Sequence, residues 1–346
     1  MPADRQALAT LAQATLEPSN PMALAACIGV ARSRDDIARS LKRLRWLRVL
    51  GLPADSLQRQ GGSLQRTLDT FAHRDHVVEQ TGPFETMDID GVGPLSFSVA
   101  TAASRAFLGL VRGSGRAYEP GVLRWMVAEA KHGAVIADVG AHVGYYSTIL
   151  AAAGAVVVAF EMHPDLLLEV RRNLWVNKLD RAHVVNAAVG DHDGLIFNLR
   201  FNPTPGLRVN DEIAAPPPDA YRKALFDAIL CVRLDTVFGR EQIVPDLVKL
   251  DVEGYEIHAL HGAKALIEGG RTKFLIEFHP HVIGDFGHSA DDLFACFPEG
   301  WTSEVLEDDG TLRALTEADQ RFEHNPDIEN VKLLFSPPAR HGVSTA

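Results

Sequence analysis

Five carboxylates and one histidine stand where short apolar runs end: Asp138, Glu161, Asp251, Glu253, Glu277 and His279. Residue types of this kind bind hydroxyls and cationic amines, and they can take a proton from an alcohol. Their spacing groups them. A strand turns its side chains with a period of two, so Asp251 and Glu253 share one face, as do Glu277 and His279. If the strands carrying them lie side by side, the acids meet at one rim. Helix capping by Asp251 or Glu253 and salt bridging by Glu277, Lys249 or Arg233 are the structural alternatives.

The elements that must position them begin with a corner. Residues 135–146 read as strand, tight turn and helix: an apolar run ending in Asp138-Val139-Gly140, then Gly144 opening an apolar segment. Gly140 supplies the backbone angles of the turn, and Gly144 is expected to let the helix approach the strand closely. The helix, residues 144–153, offers N–H groups and a positive dipole end to an anion. A second apolar run, residues 155–160, ends in Glu161, 21 positions after Gly140. At that spacing an acid at the end of the next strand reaches ribose hydroxyls. A dinucleotide site wants a second glycine where His142 stands, and Asp138 would repel a diphosphate. Asp138 suits a ligand with a cationic amine, namely the methionine part of S-adenosylmethionine. Dinucleotide binding and a purely structural corner are the competing readings.

Composition narrows the class. The chain has 346 residues, 46% of them hydrophobic, enough for one large domain and an additional one. A net charge of −11 gives no electrostatic footprint for nucleic acid. Cys27, Cys231 and Cys296 are scattered and odd in number, which argues against disulfides and a cysteine-built zinc site and for a reducing, cytoplasmic setting. No stretch reaches the roughly 18 apolar residues of a membrane span.

Along the chain, residues 1–75 read as helical, with Ile37, Leu41, Leu44 and Leu47 at helical spacing among arginines and lysines. A solvated helix face, a homo-oligomer interface and a membrane or nucleic-acid contact are its alternatives. Residues 76–346 alternate between strands and helices. Short strands are expected over 77–99, a helix over 122–131, a helix over 164–177, a strand over 183–189 and a strand pair over 195–201 and 229–234. Five prolines interrupt 203–219, a lid or a disordered insertion. The order resumes with a strand at 247–252, a helix at 256–267, a strand at 274–278, a helix capped by Ser289, and strands at 302–306 and 330–335. Such alternation implies an α/β fold with a doubly wound, mostly parallel sheet and ligands at the carboxyl ends of its strands.

The corner 138–146, Phe160-Glu161 with Pro164, Asn186-Ala187-Ala188-Val189-Gly190-Asp191, the segment 248–256 and Ile276-Glu277-Phe278-His279 together resemble the FkbM family of S-adenosylmethionine-dependent methyltransferases. The resemblance covers roughly residues 118–337. It implies a class I methyltransferase, Rossmann-like sheet of seven strands with a final antiparallel strand; the helical N-terminal extension over residues 1–75 lies outside the resemblance. It also implies O-methylation of a small-molecule acceptor such as a sugar or a secondary metabolite. Met162-His163 depart from the family, which more often has a proline soon after the Glu. The expected donor-binding residues are Tyr118, Glu119, Asp138, Gly140, His142, Gly144, Tyr145, Glu161, Met162, Ala187, Ala188, Asp191 and Asp251, with Ala187, Ala188 and Asp191 near adenine. Asp251, Glu253 and His279 are the candidate bases for an alcohol acceptor. Asp251, Glu253, Glu277 and His279 could act as bare bases or bind a divalent ion such as Mg²⁺; because a sequence cannot show these groups converging on one point, metal-independent catalysis with His279 or Glu253 as base is expected. N-methylation, and a non-catalytic nucleoside-binding regulatory module, remain the alternatives.

Overall fold

The computed structural model describes residues 83–113, 117–196, 229–316 and 330–338. The N-terminal region expected to be helical, its boundary near residue 75 and the proline-interrupted segment 203–219 lie outside the described residues.

Alternating apolar runs and helices build one twisted sheet. Its parallel heart is β3 (Val135–Val139), β4 (Val156–Phe160), β5 (Ala182–Val185), β9 (Leu247–Leu250) and β10 (Lys273–Phe278). β13 (Val331–Ser336) runs antiparallel between β10 and β11 (Thr302–Leu306). The resulting order is β11-β13-β10-β9-β3-β4-β5, and a three-residue strand β12 (Leu312–Ala314) extends the β11 edge to eight strands. The seven strands expected from the sequence are all there. β12 was not foreseen because all three of its residues are exposed, which leaves no alternation to read.

Strands buried on both faces read as continuous apolar runs, and β9 is buried at every position, Lys249 included. Phe274, Phe278 and Phe335 are fully buried on β10 and β13. Each such side chain contributes about 1.5–3 kcal/mol by leaving water. Register places Asp138 of β3 opposite Lys249 of β9, and Glu277 of β10 opposite Lys332 of β13. Sheet pairing alone thus sets each acid beside a lysine.

Helices α2 (Pro120–Glu129), α3 (Tyr145–Ala152), α4 (Pro164–Val176) and α9 (Ala290–Ala295) match expectation within a few residues. Ser289 caps α9 in a reciprocal box with Asp292. Helices α1 (Ala102–Gly113) and α5 (Leu234–Glu241) were not read from the sequence. No helix among the described residues is long and apolar enough to cross a membrane.

Three expectations are corrected. The strand expected at 183–189 breaks at Asn186-Ala187, and its second part, β6 (Ala188–Val189), joins β8 (Ile229–Val232) and β7 (Gly194–Ile196) in a separate small sheet. Asn186 enforces the break, because its side-chain amide donates to the carbonyls of Glu161 and Met162. The helix expected at 256–267 divides at Gly262 into α6 (Glu256–His261) and α7 (Lys264–Glu268). There the Gly262 carbonyl accepts from Asp235 N, and a Cβ would stand 1.9 Å from the Gly190 carbonyl oxygen. Gly144 serves a different contact from the one foreseen: a Cβ would meet Val170 of α4 at 2.9 Å, so it lets helix approach helix.

Ahead of the sheet, β1 (Phe84–Ile89) and β2 (Gly93–Ser98) form a hairpin. Asn177 exchanges hydrogen bonds with the Ser96 backbone. Asn173 accepts from Ser98 N at 2.6 Å and donates to the Val143 carbonyl at 2.8 Å. One buried side chain therefore ties the hairpin to the corner that carries the site.

Candidate active site

The corner between β3 and α3 is held from behind. Gly140 N and Ala141 N both donate to the Phe160 carbonyl. Gly140 takes φ +80°, and a Cβ there would lie 1.8 Å from the Asp251 carbonyl oxygen. A side chain is therefore excluded by contact as well as by backbone angle. His142 also takes a left-handed φ of +52°. Its N–H points at Glu161 Oε2, 2.8 Å away, while His163 N donates to Oε1 at 2.7 Å. Two backbone amides thus fix the Glu161 carboxylate at the end of β4. Burial pushes this carboxyl up to about 7, against those two hydrogen bonds, which lower it. Burial also lowers His142, whose ring lies edge-on to Phe107.

Asp138 is buried, with Oδ2 accepting from Ser147 Oγ at 2.5 Å. Oδ1 has no hydrogen-bond partner, and its nearest cation is Lys249 Nζ at 3.8 Å. Lys249 sits closer to Asp251 Oδ2, 3.2 Å away, and over the Tyr146 ring. Although burial lowers it, Asp251 and Asp138 raise its pKa and keep it charged. In Asp251, burial acts upward and Lys249 and His279 act downward, leaving the carboxyl below its ordinary value.

The ends of β9 and β10 bring Asp251, Glu277 and His279 together, with one ligand atom from each within 4.8 Å of the others. Glu253 adjoins them from a left-handed residue at φ +53°, its Oε2 3.8 Å from His279 Nε2. His279 Nδ1 meets Oε1 of Glu256, a fully buried carboxylate at the start of α6, at 2.9 Å. Burial acts to lower the imidazole, but Glu256 outweighs it and raises the ring to about 9. At neutral pH a ring so shifted carries a proton. Burial, then the Asp251 charge, push Glu277 up to about 8.

The model of the methyltransferase FkbM domain matches residues 138–312, just over half of the chain. The chain belongs to the FkbM methyltransferase family. Among solved structures it is similar to methyltransferase FkbM from Methylobacillus flagellatus KT, at 16% identity and a TM-score of 0.36. That match covers 89% of this chain and 61% of the other, so the chain spans less than two thirds of that protein's length. A TehB-like SAM-dependent methyltransferase from Corynebacterium glutamicum ATCC 13032 Kitasato matches at 16% identity and TM-score 0.37, over 67% of this chain and 95% of its own. Precorrin-6y C5,15-methyltransferase from Geobacter metallireducens GS-15 matches at 12% identity and TM-score 0.34, over 63% and 88%. No curated protein matches the chain.

In this FkbM-family chain the other expected donor residues are placed unevenly. Tyr118 N donates to the Tyr145 hydroxyl, and Tyr145 is packed among Phe97, Phe107, Tyr118 and Tyr146. Its ring belongs to the core, and burial raises its phenol to about 12. Burial, then the Glu119 charge, likewise raise Tyr118. Glu119 is clamped by the Tyr146 hydroxyl at 2.7 Å and Lys332 Nζ at 2.6 Å. Met162 offers its carbonyl to Asn186, Ala187 is buried and Ala188 is half-buried on β6. Asp191 is paired with His192 and His258; partial burial acts to raise its carboxyl, and the hydrogen bonds of the two histidines outweigh that and lower it. Lys249, Glu256 and Lys332 belong to the site; of these the sequence pointed only to Lys249, as an ion-pair partner of the strand-end acids. For Lys249 the signal was present: it lies two positions before Asp251, hence on the same strand face.

Proposed function

We propose that the chain is an S-adenosylmethionine-dependent methyltransferase that methylates a hydroxyl oxygen of a small molecule such as a sugar or a secondary metabolite. The observation carrying this reading is that one residue joins the two halves of the site. The Asp251 backbone packs against Gly140 of the donor corner, while its carboxylate belongs to the group formed with Glu277 and His279.

The residues at the corner fit such a donor. Each carboxylate oxygen has two lone pairs, so Glu161 can serve two backbone amides and still accept from both ribose hydroxyls. The unmatched Oδ1 of Asp138 is a buried acceptor for an ammonium group. Gly140 lets the Asp251 backbone close on the corner, and the N-terminus of α3, which has no side-chain cap, would receive the donor's carboxylate. Ala187 and Ala188 are small enough to flank a purine. When bound, the donor supplies a methyl group on a positively charged sulfur.

The chain's own task is then to align and deprotonate the acceptor. A hydroxyl held at the ends of β9 and β10 would lie beside the corner, and fixing both partners removes much of the entropic barrier to an in-line displacement. Glu253 is the most exposed carboxylate of this group and takes the acceptor's proton.

Incubation with S-adenosylmethionine and a panel of hydroxylated and aminated acceptors, read by product mass, tests the reading. A hydroxylated acceptor should gain one methyl group as an ether. Transfer confined to amines, or none to any acceptor by protein that binds S-adenosylhomocysteine, would contradict it.

A further inference from the structure

We propose that Asp251, Glu277 and His279 form a binding site for a divalent cation of the Mg²⁺ or Mn²⁺ class. Three separate features converge on this. The first is geometric. One ligand atom from each side chain lies within 4.8 Å of the other two. On an octahedral ion with bonds of about 2.1 Å, opposite ligands stand about 4.2 Å apart and neighbouring ones about 3.0 Å, so side-chain movements of up to about 2 Å would close the three onto one point.

The second is Glu277. It is 7% exposed and faces the other two ligands, yet no hydrogen bond or ion pair among the described residues satisfies its carboxylate. The two lysines nearby are engaged elsewhere: Lys332 with Glu119, and Lys249 with Asp251 and Asp138. A buried carboxylate without a partner is costly, and a cation would remove that cost.

The third is the support behind the imidazole. His279 Nδ1 is taken by Glu256, itself fully buried and further fixed by Gly254 N at 3.0 Å. A histidine held by a carboxylate through one ring nitrogen presents the other in a set direction, as metal-binding histidines do. An ion at Nε2 takes the place of the proton there. Lys249 occupies Asp251 Oδ2 and leaves Oδ1. Two carboxylates and one imidazole match a double positive charge, and the mixed oxygen and nitrogen set favours Mn²⁺ or Mg²⁺ over thiophilic metals. Three ligands leave positions on an octahedral ion for an acceptor's oxygens. That use rests on the methyltransferase reading above; binding of the ion does not.

The test uses the tag-free full chain with Mn²⁺ as probe. Calorimetry should find one ion per chain, and electron spin-echo spectra should show coupling to one histidine nitrogen. Glu277→Gln should weaken Mn²⁺ at least tenfold while S-adenosylhomocysteine binding is unchanged, and His279→Gln should abolish the nitrogen coupling. Failure to bind S-adenosylhomocysteine would count against the donor site and leave the Mn²⁺ result to stand by itself. The proposal is overturned if the wild-type chain takes up no Mn²⁺, or shows no histidine nitrogen at the ion. It is equally overturned if both variants bind Mn²⁺ as the wild type does. The wild-type spectrum decides even where a variant fails to fold.

Discussion

Glu161 holds two backbone amides in a site that burial makes hostile to charge, and its proposed role as a ribose acceptor uses the lone pairs that remain. Glu161→Ala should remove charge-assisted hydrogen bonds worth about 1.5–3 kcal/mol, about ten- to a hundredfold in affinity for S-adenosylhomocysteine by calorimetry. An unchanged dissociation constant would reject the assignment. The raised pKa adds a pH dependence with a definite sign. Ribose hydroxyls bind the ionised form, so affinity should fall as pH drops through about 7, by roughly tenfold between pH 8 and pH 6. Glu161→Gln should flatten that profile. The fold responds in the opposite sense. With its folded pKa raised above the ordinary 4.5, Glu161 favours the folded state most below that value, and the contribution is lost as pH rises through about 7.

Elements deliver these residues in register, and part of that delivery was legible beforehand. Asp138, Glu161, Asp251 and Glu277 were readable as strand-end acids because a period-two face and an apolar run are local properties of the chain. Lys249 was legible as a partner for these acids, but which acid it faces, like Lys332 opposite Glu277, requires strand order, which no local window contains. Burying Lys249 between two acids makes it structural as well as electrostatic. Lys249→Met should leave Asp138 charged and buried, costing about 3–5 kcal/mol in chemical denaturation. A loss below 1 kcal/mol would show that the pair carries little. Asn173 was equally invisible, since nothing in a helix sequence announces a side chain that bridges a hairpin and a distant loop. Asn173→Ala should leave Ser98 N and the Val143 carbonyl unsatisfied, at about 1–3 kcal/mol each. Donor affinity should fall with stability, because Val143 belongs to the corner. Intact donor affinity in a destabilised variant would detach the hairpin from the site.

Across the whole molecule, the strand order β11-β13-β10-β9-β3-β4-β5 puts the carboxyl ends of β3, β4, β9 and β10 side by side. The acids proposed to hold donor and acceptor therefore share one rim. The class of fold was readable from alternation, because parallel strands need crossovers and ligands collect at their carboxyl ends. The break at Asn186, the division of the helix at Gly262 and the exposed β12 were not, since each depends on contacts from elsewhere in the chain or on a strand without an apolar face. The central claim is that this rim receives S-adenosylmethionine and excludes a dinucleotide. Calorimetric titration of the purified chain with S-adenosylhomocysteine and, separately, with NAD addresses it most directly. S-adenosylhomocysteine should bind one to one while NAD gives no heat of binding; saturable NAD binding with no response to S-adenosylhomocysteine would contradict the account.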